Sequence, residues 1–246
     1  MKLSKDHEKG LGDSKKPLKL AALFTGGKDS TYAIYLAQKA GHEITCLITI
    51  HSENQDSYMF HTPAIELTEL QAESMELSHV IAGTEGEKEV ELEDLELTIK
   101  LAKEKFNFEG ILTGALFSEY QSNRIENICK KLNLQCLSPL WHKPQEVLMQ
   151  ELLDNNFQII FTGIAAYGLN KSWLNKIITQ EDLNKLKQLK AKIGSNVAGE
   201  GGEFESLVLD CPVFKKKLII EEFEIKEESE YAARMIIKKA ATIVNM

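Results

Sequence analysis

The sequence predicts an α/β fold: a mostly parallel sheet with helices on both faces, followed by a smaller C-terminal mixed α/β domain. Continuous apolar runs of strand length recur along the chain, as is typical of strands buried on both faces of a parallel sheet. Segments with apolar residues at helical spacing separate these runs. After about residue 200 the pattern changes to short β-rich runs, part of which alternates. This change indicates a second small domain or an antiparallel extension of the sheet.

The first three elements form a βαβ unit. "LKLAALF" (18–24) is predicted as a buried strand, "STYAIYLAQKAG" (30–41) as a helix and "EITCLITI" (43–50) as the next buried strand. Gly41 suits the end of the helix, because glycine readily takes the left-handed conformation found there. The turn before the helix therefore lies at the carboxyl end of the first strand.

The alternation continues along the chain. Apolar periodicity predicts helices over 62–75, 89–106 and 118–134, and strands over 77–83, 108–115 and 157–166. Thr62 and Pro63 suit the start of the first of these helices, because proline is tolerated at the first helical position. The predicted organisation is a flexible N-terminal extension over 1–17, a first domain over 18–130 and a C-terminal substrate-binding domain over 131–246.

Composition and charge are those of a soluble globular protein. The 246 residues are 43% hydrophobic and 27% charged, with a net charge of −8. This acidic balance disfavours a broad nucleic-acid or anionic-membrane surface, so we expect neither partner. The chain has no apolar run of membrane-spanning length and no signal-peptide core, which predicts a cytoplasmic protein. The cysteines, which form no C-x-x-C pair, are interpreted as reduced, packing thiols; they are Cys46, Cys129, Cys136 and Cys211.

The segment "TGGKDS" (25–30) lies where the first strand ends and a helix begins, which is where open α/β sheets bind ligands. Gly26 and Gly27 allow a ligand to approach the backbone closely, and successive N–H groups at a helix start form an anion-binding nest. Lys28 supplies a cation for a phosphate oxygen, and Asp29 can orient the loop or help to hold Mg²⁺. A plain strand-to-helix turn is the alternative. The pattern predicts a phosphate site.

Two further segments follow strands at the same predicted edge. "HSENQDSYMFH" (51–61) follows the second strand, so His51, Met59 and His61 are candidates to line a nucleotide pocket. An ordinary surface loop is the alternative for each histidine. The 108–115 strand ends with Gly114 and Ala115, where small residues admit a base or a sugar.

The loop is neither a Walker loop nor a G-x-G-x-x-G fingerprint. It resembles the PP-loop, [ST]-G-G-x-D-S, of the ATP pyrophosphatases, which split ATP between its α and β phosphates. The first domain is therefore expected to be a PP-loop ATP-binding domain. The expected ATP-binding residues are Phe24, Thr25, Gly26, Gly27, Lys28, Asp29, Ser30, His51, Met59, Gly114 and Ala115.

The predicted helix over 118–134 carries a polar cluster. Tyr120, Gln121 and Arg124 fall within one and a half helical turns. Arg124 can pair with a substrate carboxylate or a phosphate. A solvated helix face is the alternative.

The segment "GEGGEFES" (199–206) is unusually rich in glycine and glutamate. Its glycines, Gly201 and Gly202 among them, allow uncommon backbone angles. Its carboxylates, Glu200, Glu203 and Glu205, can bind a cationic group or an ammonium ion. A plain acidic turn is the alternative.

Five segments together resemble one family, the diphthine–ammonia ligases or diphthamide synthetases. They are "TGGKDS", "DSYMFHTP", "GALFSEYQSNRIENICKKLNL", "GLNKSWL" and "EGGEFES", which run from about residue 20 to 210. The resemblance implies a HUP-type first domain. It also implies ATP-dependent amidation of diphthine, a modified histidine of translation elongation factor 2, by ammonium. The implied products are diphthamide, AMP and pyrophosphate, formed through an acyl-adenylate.

The resemblance also implies roles for individual residues. Lys28 and Asp29 would act on the phosphates, with Mg²⁺ on Asp29, and Glu203 or Glu205 would bind ammonium and take its proton. The trimethylammonium of diphthine favours an acidic or aromatic pocket. The expected substrate-binding residues are Tyr120, Gln121, Arg124, Trp141, Glu200, Gly201, Gly202, Glu203 and Glu205. A homo-oligomer is compatible with the sequence.

Three positions depart from the family pattern. Thr25 replaces the commoner serine and Ser206 a threonine, so both keep a hydroxyl. Asn175 replaces a glycine in "WLN", and asparagine also tolerates a left-handed conformation.

Two other functions are weighed against this one. PP-loop enzymes that thiolate tRNA or attach lysine to it predict a basic RNA-binding face and often paired cysteines, which this acidic chain lacks. A non-catalytic ATP sensor would keep the loop glycines but would not need Lys28 and Asp29 together with the glutamates of the second domain. Separating AMP from ADP, with and without elongation factor 2 that carries diphthine, distinguishes the three.

Overall fold

The computed structural model describes residues 16–52, 65–85 and 90–244, and it divides the chain into two compact units. One unit comprises Met1–Thr25 and Asp29–His142, and the other comprises Gly26–Lys28 and Lys143–Met246. The first unit extends past the predicted domain boundary at residue 130, because a short strand after that point pairs within its sheet. The predicted N-terminal extension lies almost entirely outside the described residues.

The first sheet is parallel throughout and has the strand order β3-β2-β1-β4-β5. Its elements are β1 Lys19–Leu23, α1 Lys28–Lys39, β2 Glu43–Ser52, α2 Ile65–Met75, β3 Ser78–Thr84, α3 Val90–Phe106, β4 Gly110–Leu112, α4 Glu119–Lys131 and β5 Gln135–Leu137. The predicted α/β class is confirmed, and the order follows that of doubly wound sheets, with β1 central. The predicted 108–115 strand is much shorter, so Gly114 and Ala115 follow β4 rather than end it.

The strand order places helices on both faces of the first sheet. The chain steps outward from β1 to β3 and then crosses back to β4, and right-handed crossovers put the helices of the two halves on opposite faces. The α3 and α4 face has a continuous core. This core includes Cys46, Ile48, Leu95, Ile99, Ile111, Ile125, Ile128 and Cys129. Cys46 therefore packs in the core, as the sequence predicts.

The second unit contains a separate antiparallel sheet with the order β7-β6-β9-β8. Its elements are α5 Gln145–Asp154, β6 Gln158–Ala165, a 3-10 turn Lys171–Trp173, α6 Gln180–Ile193, β7 Phe204–Asp210, β8 Lys216–Ser229 and β9 Ala232–Val244. The predicted smaller mixed α/β domain is confirmed, and the alternative of an extended first sheet is wrong. In the described ranges, every helix is too short or too polar to cross a membrane.

Candidate functional site

The loop between β1 and α1 is closed by its own hydroxyls. The Thr25 N–H donates to Ser30 Oγ at 3.3 Å, and the Thr25 and Ser30 hydroxyl oxygens lie 3.2 Å apart. Gly26 has φ 76°, a left-handed conformation that strains most other residues. These contacts bend the backbone sharply between the last residue of the strand and the first turn of the helix. Such a turn at a helix start is the arrangement with which α/β proteins bind phosphate groups.

Gly114 touches the start of α1. A Cβ atom at position 114 would lie 2.7 Å from both the Asp29 carbonyl carbon and the Ser30 nitrogen. Real Cβ atoms essentially never come that close, so only glycine fits. The glycine at this position thus lets β4 approach the loop backbone, whereas the sequence suggested only room for a base or sugar. The neighbouring Ala115 N–H donates to Thr113 Oγ1 at 3.2 Å.

A polar relay crosses the first three strands next to the loop. The Thr49 hydroxyl on β2 donates to the Phe24 carbonyl at 2.8 Å, and its oxygen lies 2.8 Å from His79 Nε2 on β3. A hydroxyl has one proton, so His79 Nε2 is the donor to Thr49. Burial lowers the pKa of His79 to about 4, so this ring is neutral at pH 7. The relay fixes the Phe24 carbonyl at the beginning of the loop.

His51 lies near the carboxyl end of β2, at the edge where the loop also lies. Its Nδ1 atom is buried and has no hydrogen-bond partner among residues 16–52, 65–85 and 90–244. A buried ring nitrogen at this edge can serve a bound ligand. The candidates Met59 and His61 lie outside the described residues.

The candidate residues Tyr120 and Arg124 of α4 form a stacked pair, and Trp141, which follows β5, belongs to a stack of three rings. The Arg124 guanidinium carbon lies 3.6 Å from the centroid of the Tyr120 ring. Trp141 stacks on His142 with ring centroids 4.8 Å apart, and His142 stacks in turn on Phe117 at 5.7 Å. Tyr120 and Phe117 are exposed, so aromatic faces are presented to solvent. The position of the Gln121 side chain is not among those described.

In the second unit, β7 contacts the middle of the loop. The Val208 N–H donates to the Gly26 carbonyl at 3.1 Å, and the Lys28 N–H donates to Ser206 Oγ at 3.2 Å. The Lys28 ammonium lies 5.5 Å from the centroid of the Phe204 ring, and the whole residue is only 4% exposed. Phe204 and Ser206 belong to "EGGEFES", whose glutamates and glycines alone were predicted as site residues. The sequence feature that could have indicated Phe204 and Ser206 is their position two residues apart on the strand that directly follows the glycines.

Glu203 and Glu205 have different surroundings. One oxygen of Glu203 accepts the Asn196 N–H at 2.8 Å, and the other accepts the Gly201 N–H at 2.9 Å. Glu203 therefore fixes the turn in which Gly202 has φ 83°. Glu205 instead lies against Gly163 on β6, where a Cβ atom would meet the carboxylate oxygen at 3.2 Å. Glu200 is exposed and lies within this turn, in which the Gly202 N–H donates to the Gly199 carbonyl.

The described side chains offer few ligands for a metal ion. Within the described ranges, no three His, Cys, Asp or Glu side chains converge as a metal site would require. Mg²⁺ commonly binds through one or two carboxylates together with substrate phosphates. The single loop carboxylate Asp29 fits that mode, and it does not fit an all-protein metal cage.

The chain is an α/β protein with a glycine-containing turn between its central strand and a helix start, the arrangement in which α/β proteins bind phosphate groups. Residues 18–136 match the family model of the diphthamide synthase N-terminal domain, and residues 144–243 match that of the diphthamide synthase C-terminal domain. The chain belongs to the diphthamide synthase family.

Named relatives agree with this assignment. The diphthine–ammonia ligase of Bos taurus is 41% identical, covering 86% of each chain, and that of Homo sapiens is 40% identical, covering 85% of each. The diphthine–ammonia ligase of Danio rerio is 35% identical over 87% of this chain and 91% of its own. Among solved structures, the U34-tRNA thiolase NcsA from Methanococcus maripaludis is similar at 15% identity and a TM-score of 0.39, covering 79% of this chain and 74% of that one. That likeness is too distant to bear on function.

Proposed function

We propose that this chain is an ATP-dependent diphthine–ammonia ligase. It joins ammonia to the carboxylate of diphthine on translation elongation factor 2 and releases AMP and pyrophosphate. The observation that supports the proposal most strongly is the match of two diphthamide synthase domain models, in order, over residues 18–136 and 144–243. The loop of residues 25–30 keeps every residue type that the chemistry requires. A cytoplasmic location is part of the proposal, since elongation takes place there.

The loop would hold the phosphates of ATP. Its backbone is bent at Gly26 and continues into the start of α1, where N–H groups carry partial positive charge. Thr25 and Ser30 supply hydroxyls at the same bend. The Lys28 ammonium would lie against the pyrophosphate oxygens. Asp29 would hold Mg²⁺, which would supply further positive charge to the phosphates.

The first step activates the acceptor. A carboxylate oxygen of diphthine attacks the α-phosphorus, a new P–O bond forms, and the bond between the α-phosphorus and the bridging oxygen breaks. Pyrophosphate leaves with the bonding electrons. Lys28 and the loop N–H groups stabilise the negative charge that develops on the leaving group, which is the largest contribution that a preorganised site makes to such a step.

The second step forms the amide. Ammonium gives one proton to a carboxylate, and the resulting ammonia attacks the acyl carbon of the adenylate. AMP leaves as the C–N bond forms, and a second proton is lost from nitrogen. We propose Glu205 for this carboxylate, one of the two glutamates that the sequence indicates for the role. Both oxygens of Glu203 accept backbone N–H bonds. Glu203 then contributes by shaping the turn before β7.

The cationic substrate would be bound by aromatic faces and by carboxylates. A trimethylammonium group prefers the face of tyrosine or tryptophan. Tyr120 and Trp141 would supply such faces in the first unit, where Arg124 covers one face of Tyr120 and His142 stacks on Trp141. Gln121, Glu200, Gly201 and Gly202 remain proposed substrate contacts.

Nucleotide product analysis tests the proposal. The protein is incubated with Mg·ATP and ammonium, with and without elongation factor 2 that carries diphthine, and AMP is separated from ADP. We expect AMP and an equal amount of pyrophosphate only with the diphthine-bearing factor. The same factor without diphthine is the matched control. AMP formed equally without the factor would overturn the assignment of the acceptor, and ADP as the product would overturn the α–β cleavage.

A further inference from the structure

Three aromatic rings form a continuous stack inside the second unit. Phe204 on β7 stacks on Phe161 of β6, with ring centroids 3.8 Å apart and planes 13° from parallel. Phe161 stacks in turn on Trp173, at 6.0 Å and 12°. We call these three rings the aromatic stack. Trp173 of the stack belongs to the family segment "GLNKSWL", and Phe204 belongs to "EGGEFES".

The aromatic stack ends at the loop lysine. Lys28 lies with its ammonium 5.5 Å from the Phe204 centroid, within the range of a cation–π interaction. Lys28 is 4% exposed, so its charge is largely removed from water. A buried ammonium needs favourable partners, and an aromatic face is worth more to a cation when both are desolvated. The ring face is thus one of the groups that make this buried position favourable for the cation.

The Phe204 ring is fixed in its place. A Cβ atom at Gly199 would lie 2.9 to 3.0 Å from the Cδ2, Cε2 and Cζ atoms of Phe204, so the backbone at 199 already packs against the ring. Phe161 covers one face and is itself fully buried. The turn that carries Trp173 is capped by the Asn170 side chain, which accepts the Ser172 N–H at 3.0 Å. Because the Phe204 ring is held in place, a side chain that contacts it is held in a fixed direction.

The backbone of Lys28 is held by the same strand. Ser206, two residues along β7 from Phe204, accepts the Lys28 N–H at 3.2 Å. Residues two apart on a strand point to the same face. The backbone and the side chain of Lys28 are therefore both positioned by one face of β7.

We propose that Phe204 is a positioning residue for Lys28: its ring face, backed by Phe161 and Trp173, holds the ammonium where pyrophosphate departs. This inference rests on the proposed function. Phe204 does not touch the reacting atoms but acts through the direction and charge of Lys28. The contribution comes from the electron-rich face of the ring, so a ring of the same shape with less electron density on its face would not replace it.

Fluorinated phenylalanines at position 204 test the inference. Fluorine atoms draw electron density from the ring face while changing its shape little, so 4-fluoro- and 3,4,5-trifluorophenylalanine weaken a cation–π contact stepwise. We expect kcat for AMP formation to fall stepwise, reaching about 10-fold for the trifluoro ring, which corresponds to about 1.4 kcal/mol. We expect Phe204→Leu to lower kcat at least as much. KM for ATP should change less, because Lys28 acts on the charge of the leaving group.

Phe214 provides the matched control. It lies in the turn after β7, and its exposure, 5%, equals that of Phe204. The same fluorinated residues and Phe214→Leu should leave kcat unchanged, even where they lower thermal stability. Equal losses at 204 and 214, or a flat response to fluorination at 204, would overturn the inference and leave Phe204 a packing residue.

A measurement without turnover separates the inference from the proposed function. An ammonium chain over an aromatic face has its side-chain protons shifted upfield by the ring current. In ¹H–¹³C spectra of the lysine ε-methylenes, with Lys28 assigned through Lys28→Arg, we expect an upfield Lys28 signal that Phe204→Leu moves downfield and Phe214→Leu does not. If this signal behaves as expected while diphthine elicits no AMP, the proposed function fails and the Lys28–Phe204 contact stands. An unshifted signal would overturn the contact itself.

Discussion

At the scale of single residues, Gly114 shows most directly how packing defines the loop. Its missing side chain leaves room for the backbone of Asp29 and Ser30, which a Cβ atom would approach to 2.7 Å. We predict that Gly114→Ala moves the start of α1 and lowers AMP formation on the order of 10²-fold, because small misplacements of reacting groups are costly. Steady-state kinetics and thermal unfolding measure the two effects, and overpacking should cost about 1–3 kcal/mol of stability.

Gly83 is the control for this substitution. It lies at the end of β3, and a Cβ atom there would meet nothing within 4 Å. Gly83→Ala should therefore retain both activity and stability. Equal activity of Gly83→Ala and Gly114→Ala would contradict the steric role of Gly114.

The two glutamates before and within β7 should respond differently to amide substitution. Glu205→Gln removes the proposed proton acceptor but keeps the size of the side chain, so pyrophosphate release should persist while amide formation falls about 10²-fold. Glu203→Gln loses one of two acceptors for backbone N–H groups, so it should lower thermal stability and affect both steps equally. Parallel assays of pyrophosphate and of the amide product measure the difference. The reverse pattern would move the base to Glu203.

Cys136 should be the most reactive of the four thiols. The hydrogen bond from Cys129 lowers the pKa of Cys136 and raises that of Cys129. Burial raises the pKa of Cys46 to about 11 and that of Cys211 to about 12. Thiolates are the reactive form, so iodoacetamide at neutral pH should alkylate Cys136 first. Peptide mass spectrometry locates the label, and Cys136→Ser should abolish the fast phase; labelling of Cys211 first would contradict this.

At the scale of elements, the loop depends on three adjacent strands. His79 on β3 donates to Thr49 on β2, and Thr49 donates to the Phe24 carbonyl just beyond β1. Burial holds the pKa of His79 at about 4, below its ordinary value of 6.5. The neutral form is therefore favoured by folding. His79 contributes its full stabilisation above pH 6.5, and this contribution is lost as pH falls from 6.5 through 4.

His79→Gln tests this pH dependence. The glutamine amide keeps an N–H donor for Thr49 but does not titrate, so the difference in unfolding free energy between wild type and variant should change between pH 6.5 and 4 and be flat above 6.5. Denaturant unfolding at a series of pH values measures it. A difference that stays constant from pH 7 to pH 4 would contradict the lowered pKa of His79 in the folded protein.

The elements differ in how well the sequence predicts them. The β1–α1–β2 unit was predicted because its strands are continuous apolar runs. The strand β5 has only three residues, "QCL", too few for a periodicity. Helix α6 is mostly polar, yet it has signals that could have located it: a capping box between Thr179 and Asp182, and Gly194 in a left-handed C-cap.

At the scale of the whole molecule, the sequence locates the loop but does not show which distant residues hold it in place. "TGGKDS" predicts a phosphate site because all the residues that form the pattern are adjacent in the sequence. The contact between Lys28 and Ser206 joins residues 178 positions apart, and no local pattern encodes such a distance. Phe204 and Gly163 likewise gain their roles only when β6 and β7 pair.

The charge of the whole chain argues against an RNA substrate. With 37 acidic and 29 basic residues, the chain carries −8, whereas RNA binding relies on positive charge along the phosphate backbone. The longest basic run is only three residues, 215–217, and Lys217 lies 2.5 Å from Gln158 Oε1. We therefore predict that tRNA neither binds at 50 mM salt nor stimulates AMP formation.

Filter binding with labelled tRNA and the AMP assay together test this. Diphthine-bearing elongation factor 2 should stimulate AMP formation with excess tRNA present as strongly as without it, because we expect tRNA not to bind. tRNA retention that weakens steeply with salt would reveal a basic surface, and Lys215→Glu would then locate it by lowering retention. Competition by tRNA against the protein substrate would contradict the prediction, because the acceptor site would then accommodate a polyanion rather than the trimethylammonium group of diphthine.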